Sequence, residues 1–140
     1  MISAATPGPA ERIDAVTRFL PALGRPDAAG SWVGGGTRDD GAYVMPRLAH
    51  GDVSDGFIQA CNDNGWVTPF DWVRWQATAA RKYYPDTPLL QRARVRTLGQ
   101  LLTLHVRKDR FVEGHFAGMV ESGHIAAILR RLTAIGGGLR

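Results

Sequence analysis

A chain of 140 residues with 44% hydrophobic and 21% charged residues has the size and make-up of one globular domain, which excludes a disordered polypeptide. Its one cysteine, Cys61, excludes a disulfide framework; no Cys/His spacing matches a zinc finger, and no apolar run approaches the roughly 18 residues of a membrane span. The net charge of +4 is uneven, with five basic and eight acidic groups in residues 1–70 against twelve and five in residues 71–140. Fifteen of the seventeen cations are arginine, whose planar fork suits carboxylate and phosphate, so the basic half is fitted to an anionic partner. Met1–Ala10 lacks the charged start and apolar middle of a signal peptide, and a soluble cytoplasmic protein is expected.

In chain order, residues 1–8 are expected as a flexible tail, and Gly8-Pro9 opens a helix because proline is tolerated at the first helical position. Ile13, Val16, Leu20 and Leu23 form its apolar stripe, which Pro21 should kink or end. Ser31-Trp32-Val33 and Ala42-Tyr43-Val44-Met45 are β-rich runs around the turn formers Gly34–Gly41, predicting a hairpin that must lie against helices. Its glycine-rich tip is neither a P-loop nor a dinucleotide fingerprint. Asp52 or Ser54 is expected to cap a short helix through Phe57, Ile58 and Cys61, stopped at Asn64-Gly65. Thr68-Pro69-Phe70-Asp71 predicts a capped start, with Thr68 as the N-cap of a largely buried, tryptophan-rich helix.

After the break at Pro85–Pro88, a helical region runs to about Arg110. Val95, Leu98, Leu101, Leu102, His105 and Val106 share one side, while Arg96, Gln100, Thr103 and Arg107 form an opposite stripe facing water or a partner. The last helix shows Ile125, Ile128, Leu129 and Leu132 inside with Arg130 and Arg131 outside, and ends at Gly136. The sum is a mostly α domain, α+β at most, over residues 9–135. It has about five or six helices, one small β-hairpin and a flexible tail at 136–140.

The segment from Arg107 to His124 mixes glycine, histidine, arginine and glutamate, residues that cost helix stability and that chemistry uses. His105 falls inside an apolar arc, the place of a buried neutral histidine bonded to a carbonyl. Arg107, Arg110 and Glu113 recur at i, i+3 and i+6, the spacing of a salt bridge between helix ends or of an anion clamp. Arg107 and Arg110 are therefore the candidate ligand-binding residues. His115, His124, Glu113 and Glu121 are the candidate catalytic groups. Ser122 is expected to cap the last helix and place His124 in its first turn, where the helix dipole disfavours an imidazolium. Glu121-x-x-His124 is only half of a di-iron spacing and HExxH is absent, so neither a metal nor a cofactor is expected.

The run Leu101–His115, with Glu121-Ser122-Gly123-His124-Ile125 and Ile128-Leu129-Arg130-Arg131-Leu132, resembles the bacterial DUF6508 family, a domain of unknown function. Gly34-Gly35-Gly36, Asp40-Gly41 with Met45-Pro46, and Phe70-Asp71-Trp72 with Trp75 fit the same pattern, so the resemblance covers about residues 30–135. Arg47 and Arg94 depart from it, standing where the family tends to have an aromatic residue and an acid. The resemblance implies a family but no activity. Two functions follow from the residues: a binding or accessory module whose Arg92, Arg94, Arg96, Arg107 and Arg110 engage nucleic acid, a nucleotide or an acidic protein; or a small hydrolase or group transferase using His115 or His124 with Glu113 or Glu121 and Arg110.

Overall fold

A computed structural model describes residues 7–25 and 27–139. The chain is mostly helical, with one two-stranded antiparallel sheet, in the order α1 (Pro9–Thr17), α2 (Leu20–Leu23), β1 (Ser31–Val33), β2 (Arg47–Ala49), α3 (Asp52–Asp63), α4 (Trp72–Thr78), α5 (Val95–Lys108), α6 (His115–Glu121) and α7 (His124–Gly138). Short 3-10 turns at Ala80–Tyr83 and Leu90–Arg92 join α4 to α5. No helix among the described residues is long and apolar enough to cross a membrane.

The spine is α7, which packs against α1, α2, α5, α6 and the second 3-10 turn. Ile125, Ile128, Leu129 and Leu132 are fully enclosed, as their i, i+3, i+4, i+7 spacing predicts, and meet Leu98, Leu101 and Leu102 of α5 in the core. Ile13 and Val16 of α1 complete it. The tail expected at 136–140 is helical as far as Gly138. Gly136 is buried because α1 lies so close that an added Cβ would stand 3.1 Å from Ile13. Of the amino-terminal tail, residues 1–6 lie outside the described residues. Pro21 does end α1, and α2 restarts around it.

Three local expectations are corrected by tertiary partners. Neither Asp52 nor Ser54 caps α3: Gly51 holds that position, and the buried Ser54 hydroxyl donates to the Ala28 carbonyl at 2.7 Å. The second strand is Arg47–Ala49, not Ala42–Met45, in the register Ser31↔Ala49, Trp32↔Leu48, Val33↔Arg47. Gly34 (φ +86°) turns left-handed after Val33 and interrupts the ladder. Pairing resumes further out through Gly35, Gly36 and Val44 and the Thr37–Tyr43 bridge.

The third correction moves a helix start. Asp71, not Thr68, caps α4: its carboxylate accepts from the Arg74 amide at 3.1 Å, while the Thr68 amide donates to the Thr103 hydroxyl. With only seven residues α4 lies on the surface and none of them is buried, against the expectation of a buried helix. Its aromatic residues are half-buried against neighbouring rings instead: Phe70 meets Trp75 edge-on, while Trp75 on Tyr83 and Trp72 on Phe111 are tilted at 35° and 32°. Asp71→Ala should therefore cost about 1 kcal/mol in urea unfolding. Thr68→Ala, which keeps the bonded amide, should leave the midpoint nearly unchanged; the reverse order would restore Thr68 as the cap.

Candidate functional site

The carboxy-terminal turns bring three histidines together. Helix α5 ends at Lys108, and the chain turns at Gly114, whose φ of +82° is open only to glycine and whose missing side chain leaves room for the Trp32 ring. His115 thereby becomes the first residue of α6, and a second left-handed glycine, Gly123, makes His124 the first residue of α7. Both rings face His105 in the last turn of α5. His105 Nδ1 lies 2.9 Å from His115 Nε2, and the rings of His105 and His124 meet edge-on with centroids 4.9 Å apart. Tyr84 lies against both, 5.3 Å from His105 and 4.5 Å from His124. The His124 Nδ1–H donates to the Pro85 carbonyl at 2.7 Å, which leaves Nε2 of the neutral ring as a bare acceptor.

His105 and His124 are fully enclosed, and the Nε2 atoms of both are buried with no hydrogen-bond partner. His115 is half-buried. All three are held neutral. Burial lowers His105 well below its ordinary 6.5, and the neighbouring His124, His115 and Lys108 push the same way. Burial also brings His115 down to about 4, with Lys108 adding to the effect and Asp109 opposing it. His124 is lowered by burial despite the Pro85 carbonyl and Asp86, so enclosure more than the helix dipole keeps its ring neutral.

A carboxylate braces the cluster from outside. Asp109 accepts from the Phe116 amide at 2.9 Å, fixing the first turn of α6, and its other oxygen lies 3.3 Å from His50 Nε2. His50 Nδ1 stands 3.4 Å from Asp55 at the start of α3. Among the described residues no group of His, Cys, Asp and Glu is arranged to hold a metal ion. Cys61 is buried, and burial pushes its thiol up to about 12, away from nucleophilic reactivity.

The other sequence candidates are distributed differently. Glu113 does not pair with Arg110; its Oε1 accepts from the Leu48 amide at 2.7 Å and pins β2 to the turn after α5. Glu121 is exposed, and neither glutamate has a hydrogen bond or ion pair to the histidines among the described residues. Ser122 does not take the N-cap position, which Gly123 holds, but its hydroxyl still accepts from the His124 amide at 3.3 Å. His105 is buried as expected, yet its partner is His115 and not a carbonyl. The stripe on α5 is likewise broken. Arg96 is exposed, but Thr103 is enclosed, its hydroxyl between the Trp66 and Gly99 carbonyls and the Thr68 amide.

That same Thr103 contact builds a second feature. It draws the 66–70 segment across α5 and leaves a cleft on either side. One, of about 390 Å³, is lined by Arg12, Trp66, Phe70, Arg96 and Gln100 among others. The next, of about 310 Å³, is lined by Trp72, Arg107, Arg110 and Phe111, and the two share Thr68, Pro69 and Phe70. The Arg12 guanidinium stacks 4.7 Å over Trp66 and donates to the Asn64 and Gly65 carbonyls. Arg96, Arg107 and Arg110 have no ion pair among the described residues. Phe111 is 77% exposed. Arg92 donates to the Pro88 carbonyl, and neither it nor Arg94 lines the clefts.

Fold and site together define a class: a small, mostly helical domain with a neutral histidine trio, two of its rings enclosed, at one end of α5 and arginine-lined clefts along that helix. The chain belongs to DUF6508, a family of unknown function whose pattern matches residues 8–137. No curated protein and no solved structure matches it.

Proposed function

We propose that the protein is a binding module whose α5 groove engages an anionic partner. The observation that carries this reading is the set of three arginines, Arg96, Arg107 and Arg110, that line two neighbouring clefts without a carboxylate partner among the described residues. A guanidinium left unpaired at a concave surface keeps its donors available for carboxylate or phosphate oxygens. The acids nearest to Arg107 and Arg110 along the chain are engaged elsewhere: Asp109 accepts from the Phe116 amide and faces His50, and Glu113 accepts from the Leu48 amide.

Retention on immobilised heparin tests the reading. Arg107→Glu/Arg110→Glu should elute at clearly lower salt than Arg38→Glu/Arg47→Glu, a pair on the hairpin that changes net charge equally and lines neither cleft. Equal shifts for the two pairs would show a general charge effect and remove the groove from the proposal.

The second reading, a small hydrolase or group transferase, is supported by the half-buried neutral His115 and its ring-to-ring contact with His105. It requires a turnover that His115→Ala abolishes while heparin retention persists.

A further inference from the structure

Resting on the anion-binding reading, the geometry points to a single-stranded nucleic acid as the occupant of the α5 groove, with phosphates on the arginines and bases on Trp72 and Phe111. Three observations converge on it. The first is length. Arg96 and Arg107 are eleven residues apart on one helix, a separation of about 16 Å at 1.5 Å per residue, and Arg110 extends the row past the helix end. One nucleotide sits in one cleft and cannot bridge both, whereas a chain of several charged units reaches every arginine. The second is an aromatic platform among the cations. Phe111 is 77% exposed, in a fold that had core positions for phenylalanine, and its ring lies 6.1 Å from Trp72 at a 32° tilt in the same cleft as Arg107 and Arg110. A charge row alone recognises any polyanion; ring faces beside it favour one whose units carry π faces, because base–aromatic stacking tolerates any sequence.

The third observation is shape. Thr68, Pro69 and Phe70 stand as a ridge between the two clefts, tethered to α5 by the Thr68 amide on the Thr103 hydroxyl. A flexible single strand bends over such a ridge from one cleft to the other, and its unstacked bases are free to turn onto the rings. A duplex keeps its bases paired and inside, so it can offer only phosphate to the arginines. An acidic peptide would satisfy the charges while leaving Phe111 unused.

Fluorescence anisotropy at fixed salt, with labelled oligonucleotides of one, two, four, eight and twelve nucleotides and a duplex of the longest, tests this. Affinity should climb with length until both clefts are spanned and then level off, with the single strand bound more tightly than the duplex. Phe111→Ala should weaken single-strand binding about tenfold and shift heparin elution far less than Arg107→Glu/Arg110→Glu does, since the arginines are kept. Arg107→Glu/Arg110→Glu should weaken both. If duplex and single strand bind alike, or Phe111→Ala has no effect, the single-strand inference is overturned while the anion-binding reading stands. Tighter binding of a polyglutamate peptide than of any oligonucleotide overturns it as well. Loss of oligonucleotide and groove-dependent heparin binding together removes both.

Discussion

Lowering the pH from 7.5 to about 5 should strip this fold of stability through its three clustered histidines. His105, His115 and His124 are all held below the ordinary histidine value of 6.5, first by burial, so the unfolded chain binds protons under that pH that the folded chain refuses. Stability then rises with pH across this window and is flat above it, where both states are neutral. Each histidine in that condition contributes a slope of up to about 1.4 kcal/mol per pH unit. For His115 the window runs from 6.5 down to about 4, below which the folded state takes the proton too. The surroundings offer partial relief only at the rim. Asp109 faces His115, Asp86 faces His124 and Lys108 opposes both His105 and His115, while the orphaned Nε2 of His105 has no acceptor for a proton.

Urea midpoints measured at half-unit steps from pH 7.5 to 5 check this. His105→Phe, which replaces the most enclosed ring by an apolar one of similar size, should flatten the slope. A midpoint unchanged across the range in the parent protein would mean that the trio is not held neutral.

Replacing Trp66 should be the most damaging single truncation near the groove, at about 3–5 kcal/mol for Trp66→Ala. The residue is 2% exposed, and Gly99 of α5 is bare where the ring lies, an added Cβ standing 3.6 Å from it. Its indole N–H donates to the Arg12 carbonyl at 2.9 Å, its own carbonyl accepts from Thr103, and the Arg12 guanidinium covers its face. Removing the ring opens a cavity between α1 and α5 and frees the arginine that walls the larger cleft. Trp66→Phe, which keeps most of the volume but loses the hydrogen bond to the Arg12 carbonyl, should cost clearly less. A loss below about 1 kcal/mol for Trp66→Ala would place the residue outside the cooperative core.

Local signals carried far in this chain. The stripes of α1, α5 and α7, the proline and glycine boundaries at Pro9, Pro21 and Gly65, and the burial of His105 all follow from helical periodicity and backbone sterics, which act over a few residues. The places of Arg96 and Arg107 on one side of α5 and of His124 in the first turn of α7 were legible for the same reason. Caps were not, because a side-chain oxygen caps only when nothing distant claims the site. Ala28 claims the hydroxyl of Ser54, and Thr103 claims the amide of Thr68.

The strand register escaped prediction because Gly34 and Gly35 permit either arm of the loop to pair with Ser31–Val33, and the choice is pinned from sixty-five residues away by Glu113 on Leu48. The histidine trio is the clearest product of tertiary structure. Nothing local joins His105, His115 and His124 to Tyr84 and Pro85, which lie up to 40 positions apart and meet only when α6 and α7 fold back on α5. Composition could say that this chain holds four histidines. Only packing could enclose two of them with a ring nitrogen unpaired, because burial and hydrogen-bond satisfaction belong to the assembled interior and not to any stretch of sequence.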